Sequence, residues 1–113
     1  MEPKSKTIAR EVLLAFWKVH ILHHAGEGPL VGQWMLNELR EHGYDVSPGT
    51  LYPLLRRMEG YGWLKGTPKP DAGSRARREY RLTKLGRAVL DQLRENVAEM
   101  HREVNGKKRK RDD

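Results

Sequence analysis

The chain has 113 residues, of which 37% are hydrophobic and 33% charged, and its formal net charge is +7. This length fits one small domain and argues against a multidomain enzyme, while the absence of cysteine excludes disulfides, thiolate metal sites and thiol catalysis. No apolar run approaches the roughly 20 residues that a membrane-spanning helix needs, and the first ten residues lack the apolar stretch of a secretory signal. We therefore expect a soluble, cytoplasmic, basic protein with no membrane partner.

The first two predicted helices are separated by a glycine-rich break. Apolar residues recur around most of a helix that we predict over about Thr7–His24, which is typical of a helix buried on two sides. In a chain this small, we expect the second side to meet another protomer. Gly26–Pro29 breaks the helix, and a second helix is predicted over about Val31–Glu41, with Gly43 as a left-handed C-terminal cap.

The third helix has a clear start signal. Ser47 suits the N-cap, and Pro48 suits the first helical position because its missing N–H would have no partner there. Residues 60–62, Gly-Tyr-Gly, end this helix. Two short strands follow, over Trp63–Thr67 and Arg78–Leu82, and form a hairpin around a basic loop.

The last helix begins at a capping Thr83 and spans roughly 22 residues. Its long apolar stripe has little chain left to pack against, so we expect a homodimer formed by the first and last helices. The predicted dimer contacts are Val12, Phe16, Val19, Leu85, Val89, Leu93, Val97 and Met100. We expect a disordered basic tail over residues 106–113.

The predicted fold class is mainly α with a small β-hairpin, arranged as a winged helix-turn-helix with a long C-terminal dimerisation helix. Residues 1–82 form the winged helix-turn-helix, and residues 83–105 form the dimerisation helix of the same compact unit. Positive charge is concentrated in the helix and hairpin: residues 48–82 carry 8 basic and 3 acidic side chains, net +5. A local surplus of this kind favours a polyanionic partner, of which nucleic acid is the commonest.

Residues 47–58, SPGTLYPLLRRM, resemble a distinctive stretch of the PadR family of bacterial transcriptional regulators. The similarity continues through residues 62–64 (GWL), residues 78–83 (REYRLT) and Gly86. Residues 31–34 (VGQW) depart from the glycine–tyrosine entry common in that family.

The resemblance covers about residues 8–100. It implies a winged helix-turn-helix dimer that binds operator DNA, usually as a repressor, and the single helix after the wing implies the short subfamily. Some members of the family bind aromatic or drug-like molecules at the dimer interface.

The residue chemistry independently favours contacts with double-stranded DNA. Small residues and hydroxyls near the start of the third helix allow close approach to a phosphate, and arginines further along reach guanine edges or phosphates. A proline inside the helix ordinarily costs about 3 kcal/mol, which marks a strained site or a late helix start. The predicted contacts are Ser47, Gly49, Thr50, Tyr52, Pro53, Arg56 and Arg57 on the helix, and Lys69, Arg75, Arg77 and Arg78 on the wing.

Two further clusters have alternative interpretations. His20, His23 and His24 suggest a metal, but we find no third Asp, Glu or Cys ligand at local spacing, so we predict partly exposed histidines near a helix end and no metal site. Phe16, Trp17 and Trp34 are candidates for a pocket that holds a small aromatic or hydrophobic effector, although aromatic residues at helical spacing more often form core.

The sequence therefore predicts a homodimeric repressor that binds a pseudo-palindromic operator and is released by an effector at the dimer interface. The alternative is a winged-helix module that binds protein without sequence-specific DNA binding. We expect no enzyme and no cofactor, because the chain contains no paired carboxylates, catalytic triad order, phosphate loop or metal signature.

Overall fold

The computed structural model describes residues 4–69, 77–106 and 108–109. Its first helical segment comprises α1 (Ser5–Ile8), a π-helical turn (Ala9–Leu13) and α2 (Leu14–Glu27). The segment is longer than predicted because the helix continues through the first glycine of the break. Within the described residues, no helix is both long and apolar enough to cross a membrane.

The helix-turn-helix consists of α3 (Gly32–Glu41) and α4 (Pro48–Gly60). Both helices end in a glycine with positive φ, Gly43 at 93° and Gly62 at 83°. In each case, the N–H of the glycine and that of the next residue donate to carbonyls near the helix end, the pairing of a Schellman motif. The predicted left-handed cap at Gly43 is confirmed.

The wing is part of a three-stranded antiparallel sheet in the order β1-β3-β2. Its strands are β1 (Leu30–Val31), β2 (Leu64–Pro68) and β3 (Arg78–Leu82). The hairpin was predicted, but β1 was not, because two residues are too few to show the alternation of a strand. Tyr80 on β3 is opposite Leu30 on one side and Gly66 on the other, and it is buried.

Thr83 fixes the start of α5 (Lys84–Asn105). Its Oγ1 accepts the N–H of Gly86 at 2.9 Å, as predicted for an N-cap, and also donates to the carbonyl oxygen of Gly62 at 2.6 Å. Gly86 has to be small, because a Cβ there would overlap the Trp63 carbonyl oxygen. The helix is therefore held closely against the beginning of β2.

The core lies between α2, α3, α4, the sheet and the first half of α5. Only Gly86 and Leu90 of α5 are buried, so its second half extends away from the core. The predicted fold class, mainly helical with a small antiparallel sheet in a winged helix-turn-helix, is confirmed. The buried apolar residues are Trp17, Ile21, Leu22, Ala25, Leu30, Met35, Leu36, Leu39, Val46, Leu51, Leu54, Leu55, Met58, Leu64, Tyr80 and Leu90.

Candidate nucleic-acid interface

The two faces of α4 differ sharply in burial. Leu51, Leu54, Leu55 and Met58 are fully buried and hold the helix on the core. The opposite face is exposed and carries the residues predicted to contact DNA, namely Gly49, Tyr52, Pro53, Arg56 and Arg57. Within the described part of the chain, neither arginine of this face forms an ion pair, so both guanidinium groups are available to an external anion.

The N-terminus of α4 presents hydroxyl groups. Ser47 occupies the N-cap position as predicted, but its side chain does not cap the helix. Its Oγ instead donates to Oγ1 of Thr50 at 3.2 Å, while its carbonyl accepts the N–H groups of Thr50 and Leu51. The polar atoms at this helix end therefore include two adjacent hydroxyls and the N–H of Gly49, a suitable arrangement for a phosphate.

Pro53 lies inside α4, so the interpretation of a late helix start is wrong. A proline cannot donate the hydrogen bond that the carbonyl four residues earlier would accept, and its ring crowds that carbonyl. The residue four positions earlier is Gly49, which has no side chain to add to the crowding. Gly49 and Pro53 are both exposed, so the turn that lacks this hydrogen bond is on the outer face of α4.

Tyr52 rests on the first residue of α3. A Cβ on Gly32 would approach Cδ1 and Cζ of Tyr52 to 3.0 and 3.1 Å and would come closer still to Cε1. The ring is 39% exposed, so one side packs on Gly32 and the other faces outward. Within residues 31–34, which differ from the usual family pattern, the glycine at position 32 leaves room for the Tyr52 ring.

The wing is attached to α4 through Glu59. Its Oε2 accepts the N–H of Gly66 at 3.1 Å and a guanidinium N–H of Arg78 at 2.7 Å, and Arg78 also donates to the Gly66 carbonyl at 3.1 Å. This pairing raises the pKa of Arg78. The half-buried guanidinium of Arg78, which was predicted to contact DNA, thus also holds β2 and β3 to α4. Sequence reasoning missed Glu59, since its partner lies 19 residues away.

The other wing cations are differently placed. The N–H of Lys69 donates to the carbonyl of Arg77 at 2.7 Å, and the Arg77 side chain is exposed. The predicted contact Arg75 lies outside the described residues. Lys65 and Arg81 are opposite each other in the β2–β3 register, and both are exposed. Sequence reasoning did not select this pair, although the alternation within each strand places both residues on the outer face.

The three aromatic residues of the predicted effector pocket have different surroundings in the described part of the chain. Trp17 is 2% exposed and packs edge-on against Tyr44 with ring centroids 5.9 Å apart, so it belongs to the core. Phe16 is 41% exposed on the surface of α2. Trp34 lines an open groove of about 370 Å³ together with His24, Lys69, Glu79 and residues 27–31. Phe16 and Trp17 are not among the residues that line this groove.

The histidine that follows α3, His42, joins the cluster that the sequence placed on α2 alone. Candidate ligand atoms of His20, His24 and His42 all lie within 4.8 Å of one another. Burial lowers the pKa of His20, and the neighbouring imidazoles lower it further. A hydrogen bond from His24 lowers the pKa of the Glu27 carboxyl. The prediction of no acidic ligand at local spacing is wrong, because Glu27 lies three residues after His24 and near it. His42 reaches the cluster only through the packing of α3 on α2.

The predicted dimer residues fall into two groups. Val12, Phe16, Leu85, Val97 and Met100 are between 41% and 53% exposed. Val19, Val89 and Leu93 are half-buried, and the last two pack against the core of the same chain. The exposed group is joined by two residues that the sequence analysis did not select, Ile8 at 37% and Val104 at 73% exposure.

Comparisons with known proteins agree with this architecture. The model of the transcriptional regulator PadR-like family matches residues 21–92. Transcriptional regulator Rv3488 of Mycobacterium tuberculosis is 48% identical over 97 residues, which cover 86% of this chain and 90% of that protein. A PadR-like transcriptional regulator from Bacillus cereus is 27% identical, with a TM-score of 0.71 and coverage of 88% of this chain and 93% of that chain.

A PadR-like transcription factor from Bacteroides fragilis has the same fold at 24% identity, with a TM-score of 0.75 and coverage of 88% of this chain and 96% of that chain. The family match, the M. tuberculosis relative and the winged-helix architecture lead to one conclusion. The chain belongs to the PadR-like family of transcriptional regulators.

Proposed function

We propose that the protein is a homodimeric transcriptional repressor that binds a pseudo-palindromic operator in the cytoplasm. Each protomer inserts α4 into a major groove and places its wing against the neighbouring backbone. The observation that carries the proposal is the outer face of α4, where Arg56 and Arg57 are exposed beside Tyr52. The leucines and the methionine of the helix are buried on the opposite face.

The N-terminal end of α4 supports a contact with the DNA backbone. The hydroxyls of Ser47 and Thr50 and the N–H of Gly49 suit a phosphate oxygen, and the small Gly49 allows close approach. Arg56 and Arg57, two turns further along, then reach base edges or the next phosphates.

The outer face of the wing supports the same partner. Lys65 and Arg81 are directly opposite each other, an arrangement of like charges that destabilises a sheet in the absence of an anion. Among the described residues, Arg81 forms an ion pair with Glu79 at 3.2 Å and Lys65 forms none. A DNA backbone supplies the missing negative charge, and Lys69 and Arg77 extend the cationic surface toward the tip.

The exposed apolar residues at both ends of the chain support dimerisation. Val97, Met100 and Val104 continue one stripe along α5 beyond the core, and Val12 and Phe16 are exposed on the N-terminal helices. A second copy covers these surfaces in the proposed dimer. Two α4 helices held in this way fit half-sites about one helical turn, roughly 34 Å, apart.

The proposal does not include an aromatic effector pocket, because Trp17 is core and Trp34 lines a groove without Phe16. The alternative, a winged-helix module that binds protein, requires no exposed arginines on α4 and no facing cations on the wing.

Fluorescence anisotropy with DNA from upstream of the protein's own gene, and with a scrambled duplex of equal length, tests the proposal. We expect tighter binding to the native fragment, with log K falling by about 0.9 per log unit of salt for each phosphate contacted. Equal, weak and salt-insensitive binding to both duplexes would favour the protein-binding module.

A further inference from the structure

Three imidazole side chains meet between α2 and the end of α3. His20 and His24 are one helical turn apart on α2, and His42 immediately follows α3. The ring of His20 is centred 6.5 Å from that of His24 and 5.2 Å from that of His42. The candidate ligand atoms of the three residues lie within 4.8 Å of one another, although 18 residues separate His42 from His24 in the sequence.

A carboxylate completes the group. Oε1 of Glu38 lies 3.2 Å from Nε2 of His42 and 3.6 Å from Nε2 of His24. Three imidazole nitrogens and one carboxylate oxygen form a donor set that zinc and related divalent transition ions take in proteins. We propose that His20, His24, His42 and Glu38 bind a divalent transition-metal ion of the zinc class, which ties the end of α3 to α2.

The required movement is small. Zinc–nitrogen distances near 2.0–2.1 Å place tetrahedral ligand atoms about 3.3 Å apart. The two distances from Glu38 already lie within a few tenths of an ångström of that spacing. Side-chain rotation of the half-exposed His42 and of His20 brings the remaining atoms together.

Surrounding groups hold His24 in the orientation that a ligand needs. Oε1 of Glu27 lies 2.8 Å from Nδ1 of His24, so Nδ1–H donates to the carboxylate and Nε2 is left free to face Glu38. A carboxylate on the far nitrogen is the usual partner of a metal-binding histidine. Trp34 packs edge-on against the His24 ring at 5.2 Å, and Tyr44 against the His20 ring at 5.6 Å.

A second set of donors shares His24, namely His23, His24 and Glu27. All three lie on one turn of α2, and His23 and Glu27 are exposed. In that set, Nδ1 of His24 is occupied by Glu27 and the nearest approach of His23 to Glu27 is 3.9 Å. The four-residue site is favoured, because it joins two helices and its central ligand, His24, is only 12% exposed at the side chain.

The proposed site lies next to the turn that connects α3 to α4. His42 is followed by the left-handed Gly43 and, after four further residues, by the first residue of α4. An ion at His42 therefore stabilises the part of the fold that positions α4. Binding of the ion is independent of whether α4 contacts DNA.

Isothermal titration calorimetry with ZnCl2 tests the site, using the untagged full-length protein after chelation and dialysis. We expect one ion per chain and a rise in Tm of roughly 10 °C at a hundredfold excess over Kd. Co²⁺ in place of Zn²⁺ is expected to show the visible bands of tetrahedral nitrogen and oxygen ligation.

Variants separate the proposed site from the alternatives. We expect His20→Ala and His42→Gln each to weaken Zn²⁺ binding by about 100-fold or more, and Glu38→Gln by about tenfold. His42→Gln changes a half-exposed side chain, so its Tm without metal reports intact folding. His23→Ala and His101→Ala are matched controls, expected to bind as the parent does. The proposal is overturned if the parent shows no saturable binding, if binding survives both His20→Ala and His42→Gln, or if it is lost in His23→Ala.

Discussion

Arg78 Nη2 lies 2.7 Å from Glu59 Oε2, and this ion pair joins the last turn of α4 to the wing. The two side chains are 29% and 28% exposed, so solvent screens the pair only in part. Because Glu59 also accepts the N–H of Gly66, one carboxylate holds both strands of the hairpin. The orientation of the wing relative to α4 thus depends on an acidic residue within a basic surface.

Removal of the Glu59 charge is expected to weaken DNA binding. Electrostatics alone predicts the opposite, since Glu59→Gln deletes a negative charge near the proposed DNA surface. We expect roughly a three- to tenfold loss of operator affinity. Without the Glu59 contacts to Gly66 and Arg78, the wing has to be ordered when the protein binds DNA. Fluorescence anisotropy at one salt concentration measures the effect.

The matched control for this variant is Glu79→Gln. Glu79→Gln also removes one negative charge, in this case from β3. Within the described residues it breaks the exposed ion pair with Arg81 and leaves the Glu59 contacts in place. We expect unchanged or slightly tighter DNA binding. Equal gains in affinity for both variants would contradict the positioning role of Glu59.

Gly32→Ala is expected to destabilise the protein. The new Cβ would overlap the ring of Tyr52, and overpacking of this kind costs about 1–3 kcal/mol. We expect a clearly lower Tm and weaker operator binding, because Tyr52 has to move. Differential scanning calorimetry measures the first effect and anisotropy the second.

Gly60→Ala is the control for helix propensity, because a Cβ at Gly60 meets no atom within 4 Å. It is expected to stabilise α4 slightly, by less than the roughly 0.5–1 kcal/mol of a helix interior, because Gly60 is the last residue of the helix. In a Tyr52→Ala background, the cost of Gly32→Ala should largely disappear, which a double-mutant cycle measures. An undiminished cost there would show that Tyr52 is not the group displaced.

Arg56→Ala and Arg57→Ala are expected to reduce DNA affinity without affecting the fold. Both side chains are exposed and form no ion pair within the described residues, so folding loses little. Loss of an arginine that contacts a phosphate lowers the salt slope by about one unit, whereas loss of one that reads a base costs about 1–3 kcal/mol and relaxes specificity. A salt series on native and scrambled duplexes distinguishes the two roles. Arg102→Ala on α5 is the control, and an equal effect there would contradict the assignment to α4.

Val97→Asp is expected to disrupt the dimer while the protomer stays folded. Val97 is 44% exposed on the second half of α5, outside the core, so a charge there affects only a covering partner. Light scattering coupled to size exclusion should show monomer at concentrations at which the parent is dimeric. Ala88→Asp, exposed on the opposite side of the same helix, should remain dimeric. A dimeric Val97→Asp would place the interface elsewhere.

The sequence predicted the elements that depend on local chemistry. Gly43 and Thr83 specify a helix end and a helix start through backbone geometry and a single side-chain oxygen, and both features are present. The apolar spacing of α4 predicted its buried face, because a helix repeats every 3.6 residues whatever it packs against. The SPGTLYPLL run then identified the family, and with it the winged-helix fold.

Only the tertiary structure decided how distant residues meet. Nothing in the sequence indicated that β3 brings Arg78 to Glu59, or that the packing of α3 on α2 brings His42 to His20 and His24. Trp17 and Trp34 are both aromatic residues on helices, yet one is core and the other lines a groove. Local patterns establish which face of an element is apolar, but charge pairing and ligand geometry depend on which elements pack together, and that is determined by the core as a whole.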